Sequence, residues 1–90
     1  MCIKERINQK LSQVPQCALE DVFEALTWAK EALTNCEGSG HSFVLEAKDN
    51  KMRCSFSKPS WASDYTGSYE YDAAEAIIKA VCEYLTYVGD

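Results

Sequence analysis

Proline and glycine are scarce in this chain, with two and four residues among 90. So few breakers in a sequence that is 47% hydrophobic and 11% aromatic exclude a disordered or low-complexity chain. The length suits one packed core and is too short for two, so residues 1–90 read as a single domain. Long apolar runs are missing as well, and none approaches the roughly 20 residues needed to cross a bilayer. Met1-Cys2-Ile3-Lys4-Glu5-Arg6 turns to charge at once instead of building the apolar stretch of a secretion signal. The expectation is a protein of the cytoplasm, the host cell cytosol, with no membrane role.

The signatures of catalysis are absent too. The sequence contains no G-x-x-x-x-G-K-S/T, no G-x-G-x-x-G and no G-x-S-x-G, which removes the usual phosphate-loop, dinucleotide and hydrolase motifs. His41 is the single histidine and no C-x-x-C occurs, so no zinc-ligand set can be assembled from spacing. The five cysteines, Cys2, Cys17, Cys36, Cys54 and Cys82, are odd in number and widely spaced, which reads as reduced thiols. Cys17, Cys54 and Cys82 are expected in or near the core as small hydrophobes, and Cys2 on the surface. Cys36 and His41 are the one pair from which a nucleophilic site would have to be built. A thiolate needs an orienting base that the Gly38-Ser39-Gly40 link does not supply, so His41 is expected as an exposed loop residue. Neither enzymatic activity nor a cofactor is expected.

Positive charge is in the minority, nine Lys and Arg against fourteen Asp and Glu, for a formal net charge of -5. That balance opposes attraction to a phosphate backbone, so direct nucleic-acid binding is not expected. It suits a host protein or nucleoprotein complex with a basic surface, such as a nucleic-acid-binding protein whose groove is open to occupation.

Periodicity supplies the elements. Ile3, Ile7, Leu11 and Val14 fall at helical spacing, and Pro15 sets the end of a first helix near Val14. Leu19, Val22, Phe23, Leu26, Ala29 and Leu33 define a second helix over residues 19–33, with Glu20 and Asp21 in its first turn and Gly38 as its cap. Trp28 is expected on its flank, against the first helix. From Ser42 the period drops to two. Phe43, Leu45, Met52, Cys54 and Phe56 share the inward face of a hairpin that turns at Asp49-Asn50. Glu46 and Arg53 face outward and can pair across it. Residues 58–64 read as a loop, residues 65–71 as a third strand, and residues 73–87 as a final helix capped by Asp72 with Glu75 three positions on. The sum is an α+β fold of order α-α-β-β-(β)-α. It has two layers, with the helices on one face of a small antiparallel sheet.

Trp61, Tyr65, Tyr69 and Tyr71 crowd one stretch, and Trp and Tyr supply interface anchors out of proportion to their number. With Glu70 and the acids Glu20, Asp21 and Glu24, the residues Trp61, Tyr65 and Tyr69 form a candidate partner-binding surface. A structural use competes with it: Trp61 as a lid on the core, with Tyr69 and Tyr71 divided between the faces of an edge strand. His41, Arg53 and Lys58 are the candidate contacts for an anionic small ligand. An uncovered sheet face or edge also suits a homodimer.

Tyr71-Asp72-Ala73-Ala74-Glu75-Ala76-Ile77-Ile78-Lys79-Ala80-Val81 resembles the alanine-rich opening of the final helix in the phage ABA sandwich domain family, small proteins of bacteriophage and prophage genomes. Asp21-Val22-Phe23-Glu24-Ala25-Leu26 is similar to that family's leading helix, and the resemblance covers about two thirds of the chain. Ala74 departs from the proline common in the family before the helix glutamate or alanine. The resemblance implies a phage or prophage origin and no particular activity. With the size, the charge and the missing motifs, it leads to the expectation of a non-catalytic inhibitor of a host complex, such as an antiviral defence complex. The alternative expectation is a protein that sequesters a small molecule or nucleotide signal.

Overall fold

The most apolar stretch of the chain becomes its centre. Ala74, Ala76, Ile77, Ile78, Ala80, Val81, Cys82, Tyr84 and Thr86 are all buried, on nearly every side of one helix. A helix apolar all round must be covered all round. In the computed structural model, which describes residues 2–89, the covering comes from α1 (Ile3–Ser12), α2 (Gln16–Glu20), α3 (Val22–Glu37) and a hairpin of β1 (Ser42–Lys48) and β2 (Lys51–Ser57). A short β3 (Tyr65–Thr66) precedes the central helix, α4 (Ala73–Gly89). The fold is α+β, with the helices on one face of a three-stranded antiparallel sheet of order β1-β2-β3. Among the helices α4 lies on β2, and α1, α2 and α3 pack against its other sides. Spacing predicts one apolar stripe for this helix, Ala73, Ala76, Ile77, Ala80, Val81, Tyr84, Leu85 and Val88, and the double covering is why that stripe understates its burial. Thr86, the one buried polar residue of α4, donates its hydroxyl to the Cys82 carbonyl at 2.8 Å.

The helix expected over residues 19–33 is two helices. Asp21 is extended, at φ -137° and ψ 129°, and its Oδ1 accepts from the amides of Phe23 at 2.7 Å and Glu24 at 3.3 Å. A carboxylate that can satisfy two first-turn amides competes with continued helix, and apolar spacing carries no trace of a one-residue break. Glu20 therefore closes α2, and Asp21 caps α3 instead of sitting in its first turn. Cys17, expected in or near the core, is exposed because α2 buries only Ala18. On α3 the buried row is Ala25, Ala29 and Leu33, and the helix ends at Gly38, whose φ of 89° favours glycine. Trp28 is half-buried and shares a small cavity with Lys10, Gln13, Cys82 and Leu85.

The hairpin pairs Phe43 with Phe56, Leu45 with Cys54 and Ala47 with Met52, and Asp49 makes the turn at φ 56°. Cys54 and Phe56 are buried under α4, whereas Phe43 and Leu45 on the outermost strand are only partly covered. The third strand is shorter than residues 65–71. Tyr65 and Thr66 pair with Phe56 and Ser55, and then Glu70 pairs with Met52. Residues 67–69 therefore oppose only Arg53 and Cys54, which makes a β-bulge of one extra residue. The bulge sets which way the segment faces. Tyr65 and Gly67 face the helices, and beyond the bulge Tyr69 lies outward against Arg53. Glu70 turns inward to meet Lys79 of α4 at 2.7 Å. At Gly67, whose amide bonds the Cys54 carbonyl at 3.0 Å, a Cβ would stand 2.6 Å from the Ala80 Cβ.

Gly67→Ala is accordingly expected to lower stability by about 1–3 kcal/mol in equilibrium denaturation, the range for overpacking. An unchanged midpoint would mean that the bulged segment and α4 do not approach this closely. Asp21→Ala is expected to cost about 1 kcal/mol, with Asp21→Asn restoring most of it because the amide oxygen still accepts from the first turn.

Candidate functional site

The aromatic run divides between the two sides of the sheet. Phe56 is the hub of the inner set, with ring centroids 5.4 Å from Tyr65, 5.3 Å from Tyr84, 6.0 Å from Trp61 and 5.9 Å from Phe43. Trp61 also lies 5.3 Å from Tyr84. The rings of Trp61 and Tyr65 are thus half-buried and committed to the core. Burial, seconded by the Glu83 charge, pushes the Tyr65 hydroxyl up to about 12. Tyr84 donates its hydroxyl toward both carboxylate oxygens of Glu37, at 2.7 and 2.8 Å, and burial together with that carboxylate raises its pKa strongly.

Glu37 gathers two of the three candidate anion contacts. His41 Nε2 lies 3.4 Å from Glu37 Oε1, and its ring packs edge-on against Trp61 at 5.4 Å. The side chain is 2% exposed, so the expectation of an exposed loop histidine is overturned. The link leaves its backbone in solvent while the ring folds in to find Trp61 and Glu37. Lys58 Nζ donates to the Glu37 carbonyl at 2.9 Å, tying the end of β2 to the end of α3. Arg53 stands apart, on the outer face of the sheet. There it pairs with Glu46 and lies 4.5 Å over the Tyr69 ring, and the Tyr69 hydroxyl donates to Glu46 Oε1 at 2.9 Å. That hydroxyl, ahead of Arg53, holds the Glu46 carboxyl below its ordinary range, and the same bond raises Tyr69.

Three of the four acids of the candidate surface assemble, and Glu70, turned inward to Lys79, does not join them. Glu20, Asp21 and Glu24 are all exposed at the corner where α2 meets α3, and between them stands Phe23, 80% exposed. Spacing placed Phe23 in the core stripe. Once α3 starts at Val22 and buries Ala25, Ala29 and Leu33, Phe23 lies on the side shared by Thr27, Lys30 and Thr34, which are exposed as well. That polar company was the available signal. Phe23 heads a groove of about 440 Å³ that runs past Leu26, Thr27 and Lys30 to His41 and Phe43, between α3 and the outermost strand. Trp61 and Tyr65 do not reach this corner as free faces, and Tyr69 belongs to the opposite side of the sheet.

Among the described residues no group of three or more His, Cys, Asp or Glu could hold a metal ion, and no helix is long and apolar enough to cross a membrane. Cys36 is exposed, while the ring of His41 is occupied by Glu37 and Trp61. Burial pushes the thiols of Cys54 and Cys82 up to about 11 and about 12, away from nucleophilic use. Compared with protein-family models, with curated proteins and with solved structures, the chain has no match in any of the three.

At about pH 8, an alkylating agent is expected to modify Cys2, Cys17 and Cys36 in the folded protein and to spare Cys54 and Cys82 until denaturant is added. Mass spectrometry counts the adducts. Early modification of either buried thiol would show that α4 loses its cover far more often than this packing implies.

Proposed function

We propose that this is a non-catalytic binding protein, of phage or prophage type, that inhibits a host complex by occupying a basic surface with the acidic corner between α2 and α3. One observation carries the reading: Phe23 stands 80% exposed among Glu20, Asp21 and Glu24, at the head of a groove. An exposed large aromatic side chain is unfavourable in water and gains about 1.5–3 kcal/mol when a partner covers it. Surrounding carboxylates select a partner with Lys or Arg around an apolar recess and speed the encounter. The net charge of -5 acts in the same direction over the whole molecule. The occupant is therefore a basic protein segment that buries an apolar side chain beside Phe23. Occupation of a site that the host partner needs for nucleic acid would be sufficient for inhibition, with no chemistry required.

The surface departs from the one drawn from the sequence by keeping Glu20, Asp21 and Glu24 and taking Phe23 in place of Trp61, Tyr65, Tyr69 and Glu70. A photo-crosslinking residue in place of Phe23, in tagged protein mixed with a lysate that expresses defence complexes, is expected to trap one basic protein. Phe23→Ser and Glu24→Lys in the uncrosslinked protein are each expected to weaken that complex at least about tenfold, and raised salt to weaken it further. Since both side chains are exposed, Phe23→Ser should leave the melting temperature nearly unchanged, and Glu24→Lys, which puts a cation in the first turn of α3, should cost no more than about 1 kcal/mol and leave the protein folded. A complex indifferent to both substitutions would remove the corner from the interface, and a crosslink to a second copy of this chain would make it a self-association surface.

A further inference from the structure

The outer face of the sheet has a different character from the rest of this acidic chain. Lys48 and Lys51 are directly opposite each other across the hairpin, beside the Asp49-Asn50 turn. Like charges in that position repel. Each ammonium lies against a ring: Lys51 Nζ is 5.1 Å from the centre of Tyr71, and Lys48 Nζ is 5.9 Å from that of Tyr69. Next to them the Arg53 guanidinium covers Tyr69, and the Nε of Arg53 is buried with no hydrogen-bond acceptor. Glu46 holds both Arg53 and the Tyr69 hydroxyl, so Tyr69 is a fixed wall, whereas Tyr71 is 75% exposed. Lys48, Asp49, Asn50, Lys51, Tyr69 and Tyr71 line a depression of about 380 Å³, within the size range of small-ligand sites.

We infer that this depression binds a mononucleotide, with the phosphate between Lys48 and Lys51 and the base stacked on Tyr71. An anion between the two ammonium groups turns their repulsion into attraction. The open Tyr71 ring gives a planar base a stacking surface, which a bare phosphate would leave unused. Asp49 accepts hydrogen bonds and Asn50 both donates and accepts, so the turn can meet sugar hydroxyls or the base edge. A nucleic-acid strand would have to run its phosphates past a molecule of net charge -5, whereas a single nucleotide meets only the local cations. The site shares no residue with the Phe23 corner, and either can fail without the other.

The test is calorimetric titration of the full chain with ATP, AMP, adenosine, inorganic phosphate and a short single-stranded oligonucleotide, with amide shifts recorded alongside by NMR. ATP and AMP are expected to bind, with adenosine and phosphate each at least about tenfold weaker, since each engages half of the site. Shifts are expected at Asn50, Lys51 and Tyr71. Lys51→Gln and Tyr71→Ser are each expected to weaken AMP about tenfold, Tyr71→Phe to keep the affinity within about twofold, and Lys4→Gln on α1 to leave it unchanged. The three side chains altered, Lys4, Lys51 and Tyr71, are exposed, so the variants fold. Absence of nucleotide binding at millimolar concentration would overturn the inference. So would phosphate binding as well as AMP, an oligonucleotide binding more tightly than ATP, or affinity indifferent to Lys51 and Tyr71.

Discussion

The bond between Tyr84 and Glu37 is where the parts of this molecule are joined. Tyr84 lies deep in the aromatic cluster on α4, and a phenol hydroxyl there needs an acceptor. The acceptor is a carboxylate on the last residue of α3, and His41 and Lys58 reach the same residue from the following link and from the end of β2. One residue thus closes α3, orients α4 and draws the ends of the hairpin inward. Arg53 is absent from this gathering because the strand alternation of β2 sends it to the opposite side, which leaves it free for the outer face.

How far the sequence could be read depended on how far each residue obeys a period. The alternation in β1 and β2 was legible because every inward residue, from Phe43 to Phe56, keeps one phase, and the register follows from it. The final helix was legible as a helix but not as a centre. An apolar stripe shows one covered side, and only the packing of α1, α2 and α3 reveals that Ala74, Ile78, Cys82 and Thr86 are covered as well. Breaks in phase were invisible. A single extended residue at Asp21 splits a helix, and a single extra residue near Tyr69 shifts a strand, yet neither interrupts the apolar spacing by more than one position.

These two slips also account for most of what spacing misplaced in the candidate sites. The break at Asp21 starts α3 one residue before Phe23 and carries that ring out of the core, among the acids. Strand alternation puts the adjacent Tyr69 and Glu70 on opposite faces, and the bulge decides that Tyr69 goes outward and Glu70 inward. His41 is a separate case. Its glycine neighbours gave it the look of a solvated loop residue, but an imidazole beside both Trp61 and Glu37 gains more from them than from water.

The molecule thus separates its charge, with carboxylates around Phe23 and cations around Tyr69 and Tyr71, on surfaces built from different elements.

The extra residue opposite Arg53 has a bearing on how such a protein can change over time. Because the pairings at Thr66 and Glu70 bracket it, the loss or gain of one codon between them would be absorbed there, while the contact of Gly67 with Ala80 and the outward face of Tyr71 stayed in place. A change of length at this one position would therefore alter only what stands opposite Arg53, over an unaltered interior.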